Sequence, residues 1–150
     1  MSGLPKIHKD DVPLRGVVST AGSPCEKISR YLISILRTIQ GRSGLFVKTS
    51  RELKEVKDWR VERNEILVSY DVKNLYPSIP INKALELVEK LLRESRTLGK
   101  VTELSVDSIM ELLRWMFNLT YCEYNGKHYT LDSGPIGLGT TGEIAKIYME

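Results

Sequence analysis

The chain has 150 residues, of which 41% are apolar and 27% are charged, and its formal net charge is +3. This length and composition are those of one globular domain with a buried core, and they exclude a chain that is disordered throughout. The sequence contains neither an apolar run long enough to span a bilayer nor a signal peptide. We therefore expect an intracellular location, which includes the nucleus, and no membrane partner.

Basic residues are concentrated in the first third of the chain, which favours a polyanion as partner because each neutralised phosphate releases counterions. The alternative is an ordinary solvated surface. These basic positions include Lys6, His8, Lys9, Arg15, Arg37 and Arg42, and Lys48, Arg51, Lys54 and Lys57 follow.

The cysteines, Cys25 and Cys122, lie far apart and fit no metal-binding spacing. A disulfide between them is one option, and two buried thiols is the interpretation we prefer.

The N-terminal half is predicted to begin with a short extended segment at 14–19, followed by a helix. That helix opens at Ser23-Pro24, carries apolar residues at helical spacing from Ile28 to Ile39, and ends near Gly41. Thr49 or Ser50 is expected to cap a short charged helix through residue 57. A strand over 65–70 is predicted to follow.

The C-terminal half is predicted to hold two amphipathic helices, capped by Asn82 and by Ser105. A hairpin over 120–131 is indicated by Asn125-Gly126, since both turn positions need positive φ. A last helix follows the glycine-rich stretch GPIGLG. The alternating order of elements predicts an α/β (α+β) fold with a mixed sheet packed on helices.

Asp71 stands where the predicted strand over 65–70 ends, before Pro77 and Pro80. The simpler interpretation is that its carboxylate caps the following turn. The alternative is a ligand or metal site, because strand ends in α/β folds hold functional side chains in fixed directions.

Five segments carry a combined signal: GLPKIHK at 3–9, LRGVVSTAGSP at 14–24, SYDVKNLYPSIP at 69–80, YCEYNGKHYTLDSG at 121–134 and GLGTTGEIAKIYME at 137–150. In their order and spacing they resemble the reverse transcriptases of Penelope-like retroelements. The resemblance implies the fingers and part of the palm of a right-hand polymerase, fingers-like over about 1–60 and palm-like over about 61–150. The implied activity is RNA-directed DNA polymerase, with an RNA or DNA template, a primer and deoxynucleoside triphosphates as partners.

The resemblance also implies roles for individual residues. Asp71 is similar to the first palm aspartate, which holds both Mg²⁺ ions in the complete polymerase, with the backbone carbonyl of Val72 as a further ligand. Tyr76 matches the aromatic residue that packs under the sugar and hinders a ribose 2′ hydroxyl. The remaining implied contacts are to the nucleotide, from Arg15, Lys6 and Lys9, and to template and primer, from Gly134, Gly137 and Gly139.

The chain also departs from this family. Arg15-Gly16 stands where many relatives have Arg-Pro, and residues 137–142 replace a small-polar and proline pattern. The third palm motif, with its paired aspartates, would lie beyond Glu150, so we expect the chain as given not to polymerise. Two alternatives stay open: a decayed or repurposed domain that binds nucleic acid or protein without catalysis, and an unrelated α/β domain. The oligomeric state is not readable from the sequence.

Overall fold

The computed structural model describes residues 2–5, 14–17, 21–44, 47, 49, 51–52, 60–119, 121–124, 126–130 and 134–150. The helices are α1 (Pro24–Leu36), α2 (Leu75–Ser78), α3 (Ile81–Arg93), α4 (Val106–Asn118) and α5 (Gly139–Met149), with 3₁₀ turns at Arg37–Ile39 and Leu98–Lys100. The strands are β1 (Ser2–Pro5), β2 (Leu14–Val17), β3 (Tyr121–Tyr124) and β4 (Lys127–Thr130).

Helix α1 forms where the sequence predicts it. Pro24 occupies the first turn, where its missing N–H costs nothing. The apolar side chains of Leu32, Ile35 and Leu36 are fully buried on one face. The 3₁₀ turn then leads to Gly41, whose φ of 70° ends the helical segment.

Helices α3 and α4 also follow their predicted apolar periodicity. The predicted cap of α4 is confirmed, since the Ser105 hydroxyl accepts a hydrogen bond from the Ser108 N–H at 3.1 Å. The predicted cap of α3 is wrong: the helix begins directly after Pro80, with Asn82 inside its first turn. Their buried faces consist of Ala84, Leu85, Val88, Leu92, Ile109, Met110, Leu113 and Met116.

Helix α5 is the central element of the core, since it packs against α1, α2 and α3. Small residues allow these close approaches: a Cβ atom added to Gly139 would lie 2.7 Å from Ile33 Cδ1 of α1. Burial is therefore distributed around α5 and is not confined to one stripe. Its buried residues are Thr140, Thr141, Glu143, Ile144, Ala145 and Ile147.

A buried carboxylate joins α5 to the end of α1. Glu143 accepts hydrogen bonds from Gln40 Nε2 at 2.6 Å, Lys146 Nζ at 3.0 Å and Arg37 Nε at 3.2 Å. Burial alone would raise the pKa of Glu143, but the hydrogen bonds from Gln40, Lys146 and Arg37 outweigh it and hold the pKa below its usual value.

The predicted mixed sheet packed on helices is wrong. The strands form two separate antiparallel pairs, β1 with β2 and β3 with β4, and no larger sheet occurs in the described part of the chain. Two local predictions are nevertheless confirmed. β2 is the extended segment, and the hairpin pairs Tyr124 with Lys127 about a turn in which Gly126 has a φ of 70°.

The mixed sheet was predicted wrongly because a strand was expected over 65–70. The segment has no regular secondary structure, and Ile66, Leu67 and Tyr70 are 84%, 83% and 90% exposed. Its alternating apolar residues are typical of a strand, but a strand exists only beside a neighbour that pairs with its backbone. None of the four strands that the structure describes pairs with it.

Other sequence expectations have mixed outcomes. Cys25 is a free thiol that is half-buried at the start of α1. The charged helix expected after Thr49 or Ser50 falls largely outside the described residues, which include only Arg51 and Glu52 of its length. Within the described ranges, no helix combines the length and the apolarity that a membrane crossing requires.

A matched pair of leucine substitutions tests which segments form the core. Leu92 is 1% exposed and Leu67 is 83% exposed. We expect Leu92→Ala to lower the free energy of unfolding by about 2–5 kcal/mol and Leu67→Ala to change it by less than about 0.5 kcal/mol, measured by urea titration. Equal losses of stability in the two variants would show that the Leu67 side chain is buried in the folded protein, which would contradict its exposure in the structure.

The Glu143 cluster predicts a pH dependence of stability. Because the folded-state pKa of Glu143 is depressed, its contribution is fully present above its unfolded pKa of about 4.3 and is lost as the pH falls through the folded pKa. In urea titrations from pH 7 to pH 3, Glu143→Gln should weaken this acid-side loss. Glu111→Gln, at an exposed position of α4, is the control and should leave the profile unchanged.

Candidate active site

Asp71 lies at the end of the exposed segment 65–72, just before the turn that leads into α2. Its carboxylate makes no hydrogen bond or ion pair with another described residue. Ser78 closes that turn instead: its N–H donates to the Asn74 carbonyl at 3.1 Å and its hydroxyl to the Lys73 carbonyl at 3.4 Å. Asn74 itself adopts a left-handed conformation with a φ of 53°. These contacts leave the Asp71 carboxylate available to a ligand.

Tyr76 connects the Asp71 region with the start of α5. Its side chain is half-buried and packs against the core. A Cβ atom added to Gly142 would lie 3.7 Å from the Tyr76 hydroxyl, and one added to Gly134 would lie 3.0 Å from the Tyr76 carbonyl oxygen. The structure thus brings Tyr76 against the glycine-rich stretch, although the two are distant in sequence.

The three glycines predicted to face template and primer differ in their surroundings. Gly134 is buried, and an added Cβ would lie 2.6 Å from Thr141 Cγ2, so protein fills the space that its missing side chain leaves. At Gly139 the same space is filled by Ile33 of α1. Gly137 is exposed and has a φ of 108°, which its turn requires. Gly137 and Gly139 have surfaces open to a ligand, and their template role stays a prediction.

The residues predicted to contact the nucleotide triphosphate lie at the N-terminus. Arg15 is in β2, where its backbone pairs with that of Leu4 in β1. The pairing joins the two motifs that the resemblance assigns to the fingers. Lys6 and Lys9 lie outside the described residues.

The predicted metal ligands are incomplete in the described part of the chain. Asp71 offers a carboxylate and Val72 a backbone carbonyl, which are the oxygen ligands that Mg²⁺ prefers. However, the described residues contain no group of three or more His, Cys, Asp or Glu side chains that could hold a metal ion. The two-ion site expected from the resemblance would need further carboxylates.

Two threonines at the start of α5 were not singled out by the sequence. Thr140 and Thr141 are 0% and 1% exposed, and neither hydroxyl has a hydrogen-bond partner among the described residues. A buried hydroxyl without a partner costs on the order of 1–3 kcal/mol. The sequence feature that could have identified them is the pair of polar residues between Gly139 and Gly142. Helical periodicity alone does not predict that these two residues are buried.

Comparison with known proteins identifies no relative of the chain. No protein-family model, curated protein or solved structure matches the chain. The functional assignment therefore depends on the sequence motifs and on the contacts described above.

A matched pair of glycine substitutions tests the contact between Tyr76 and the glycine-rich stretch. Gly134→Ala should lower the free energy of unfolding by about 1–3 kcal/mol, because the added methyl group meets Thr141 and the Tyr76 backbone. Gly99→Ala is the control, since an added Cβ there has nothing within 4 Å, and it should change stability by less than about 0.5 kcal/mol. Thermal and urea unfolding measure both, and a neutral Gly134→Ala would contradict the contact.

Proposed function

We propose that the chain is part of a reverse transcriptase similar to those of Penelope-like retroelements, which copies an RNA or DNA template into DNA by nucleotidyl transfer. The observation that supports this most is the contact of Tyr76 with Gly134 and Gly142. The reaction needs a metal-binding carboxylate, a surface under the sugar and a template-facing loop in one place. Asp71 and Tyr76 are five residues apart. The glycine-rich stretch, which is distant in sequence, lies beside Tyr76.

Asp71 would be the carboxylate of this site. Its side chain is exposed and makes no hydrogen bond or ion pair with another residue that the structure describes, so both carboxylate oxygens are available to a ligand. With Val72 and carboxylates from outside the described residues, it would hold Mg²⁺, which lowers the pKa of a primer hydroxyl and neutralises triphosphate charge. Its position directly before the turn at Lys73-Asn74 connects it to the fixed start of α2.

Tyr76 would select the sugar. Gly142 lies beside its hydroxyl group and Gly134 beside its carbonyl oxygen, and these contacts fix Tyr76 in α2. A ring held in this way can exclude a 2′ hydroxyl by steric contact, because it cannot move aside without disturbing the packing of α5. Arg15, Lys6 and Lys9 would bind the triphosphate through charge-assisted hydrogen bonds.

A second candidate is a domain that binds nucleic acid without catalysis. The observation in its favour is that the described residues hold no carboxylate cluster for two metal ions. In that case the basic residues of the first third of the chain would bind the nucleic acid, and binding would not require Asp71.

Primer extension by the full protein that carries this chain distinguishes the two candidates. We expect Mg²⁺-dependent extension that falls by about a thousandfold in Asp71→Asn, the loss typical of removing one group that stabilises transition-state charge. Glu111→Gln removes an exposed negative charge on α4 and should extend at the wild-type rate. Binding of primer and template without extension in any variant would support the non-catalytic domain.

A further inference from the structure

The outward face of α1 and of the turn that continues it is basic. Its exposed residues recur at helical spacing and fall within an arc of about 120°. None of them is acidic, although the half-buried Glu26 lies at the edge of the arc. They are Lys27, Arg30, Tyr31, Ser34 and Arg37.

The cations on and around this face outnumber the carboxylates that pair with them. Lys27 has no ion pair within the described residues. Arg30 pairs with Glu26 at 2.9 Å, but their side chains are 76% and 39% exposed, so water and salt screen the pair. Arg37 shares the carboxylate of Glu143 with Lys146, which places two cations on one anion. The face is therefore net positive.

Tyr31 presents an aromatic ring at the edge of this face, one helical turn from Lys27. It is 42% exposed, and its hydroxyl is hydrogen-bonded to Thr102 Oγ1 at 2.5 Å. That bond connects α1 to the loop before α4 and holds the ring in one position. A fixed, half-exposed ring beside cations is the arrangement on which unpaired bases stack.

We infer that this face of α1 binds single-stranded nucleic acid, with phosphates on Lys27, Arg30 and Arg37 and a base on Tyr31. From Lys27 to Arg37 the helix rises about 15 Å, enough to follow a short stretch of strand. A single strand fits better than a duplex because stacking on Tyr31 requires an unpaired base. The inference rests on the proposed function, since a copying enzyme must hold an unpaired template.

The test is fluorescence anisotropy of a labelled twelve-residue oligothymidylate with the 150-residue chain over a range of salt concentrations. Lys27→Gln with Arg30→Gln should weaken binding about tenfold at ~0.1 M salt and reduce the slope of log K against log salt by about 1.4, or 0.7 for each lost phosphate contact. The matched control is Lys83→Gln with Lys90→Gln, which removes equal charge from exposed positions of α3. It should change affinity by less than about twofold.

A second pair of variants tests the stacking. Tyr31→Phe keeps the ring but loses the hydrogen bond to Thr102 that fixes it, so it should lose less affinity than Tyr31→Leu, which should lose about fivefold or more. On an oligonucleotide without bases, Tyr31→Leu should bind as the wild type does. Thermal unfolding checks that each variant is folded.

Three outcomes would overturn the inference: equal losses in the α1 and α3 double variants, no loss in the α1 variant, or no binding by the wild type. The proposed function fails separately, when primer extension is absent while the α1 face still binds the oligonucleotide. Extension that is intact in the α1 double variant, with unchanged oligonucleotide affinity, would overturn the inference and leave the proposed function in place.

Discussion

Helix α5 is buried among α1, α2 and α3, and its packing determines how these three helices are placed around it. Close approach is possible because Gly139 leaves room for Ile33, and the Glu143 carboxylate adds a polar connection to the end of α1. A charge of this kind is tolerated in the interior only when several donors satisfy it. The same helix then offers its first turn to Tyr76, so the position of the candidate site follows from the packing of α5.

The candidate site is fixed on one side and open on the other. Downstream of Asp71, the turn closed by Ser78 and the contacts of Tyr76 define where the chain runs. Upstream, the apolar side chains of Ile66 and Leu67 are exposed, and no described strand supports the segment. Two-metal chemistry requires a carboxylate with a fixed direction. In the proposed polymerase, additional strands beside 65–70 would supply that rigidity and cover the apolar side chains.

Sequence patterns predicted the features that local interactions determine. The apolar periodicity of α1, the Ser105 cap and the Asn125-Gly126 hairpin each depend on residues a few positions apart. The strand over 65–70 was predicted wrongly because strand formation depends on a partner that no local pattern reveals. The Glu143 cluster was not predicted for the same reason, since Arg37 and Gln40 lie far from it along the chain. The Asn82 cap failed because Pro80 already sets the start of α3.

Proton NMR can test whether Tyr76 lies against α5, because nuclear Overhauser effects report pairs of protons that are close in space. We predict cross-peaks from the Tyr76 ring to the Gly142 Hα protons and from the Thr141 methyl group to Gly134, with no cross-strand peaks for residues 65–70. Cross-strand peaks at 65–70, or a Tyr76 ring without contacts to Gly142, would contradict this prediction. In that event Tyr76 would not lie against α5, and the geometric support for the proposed function would be lost.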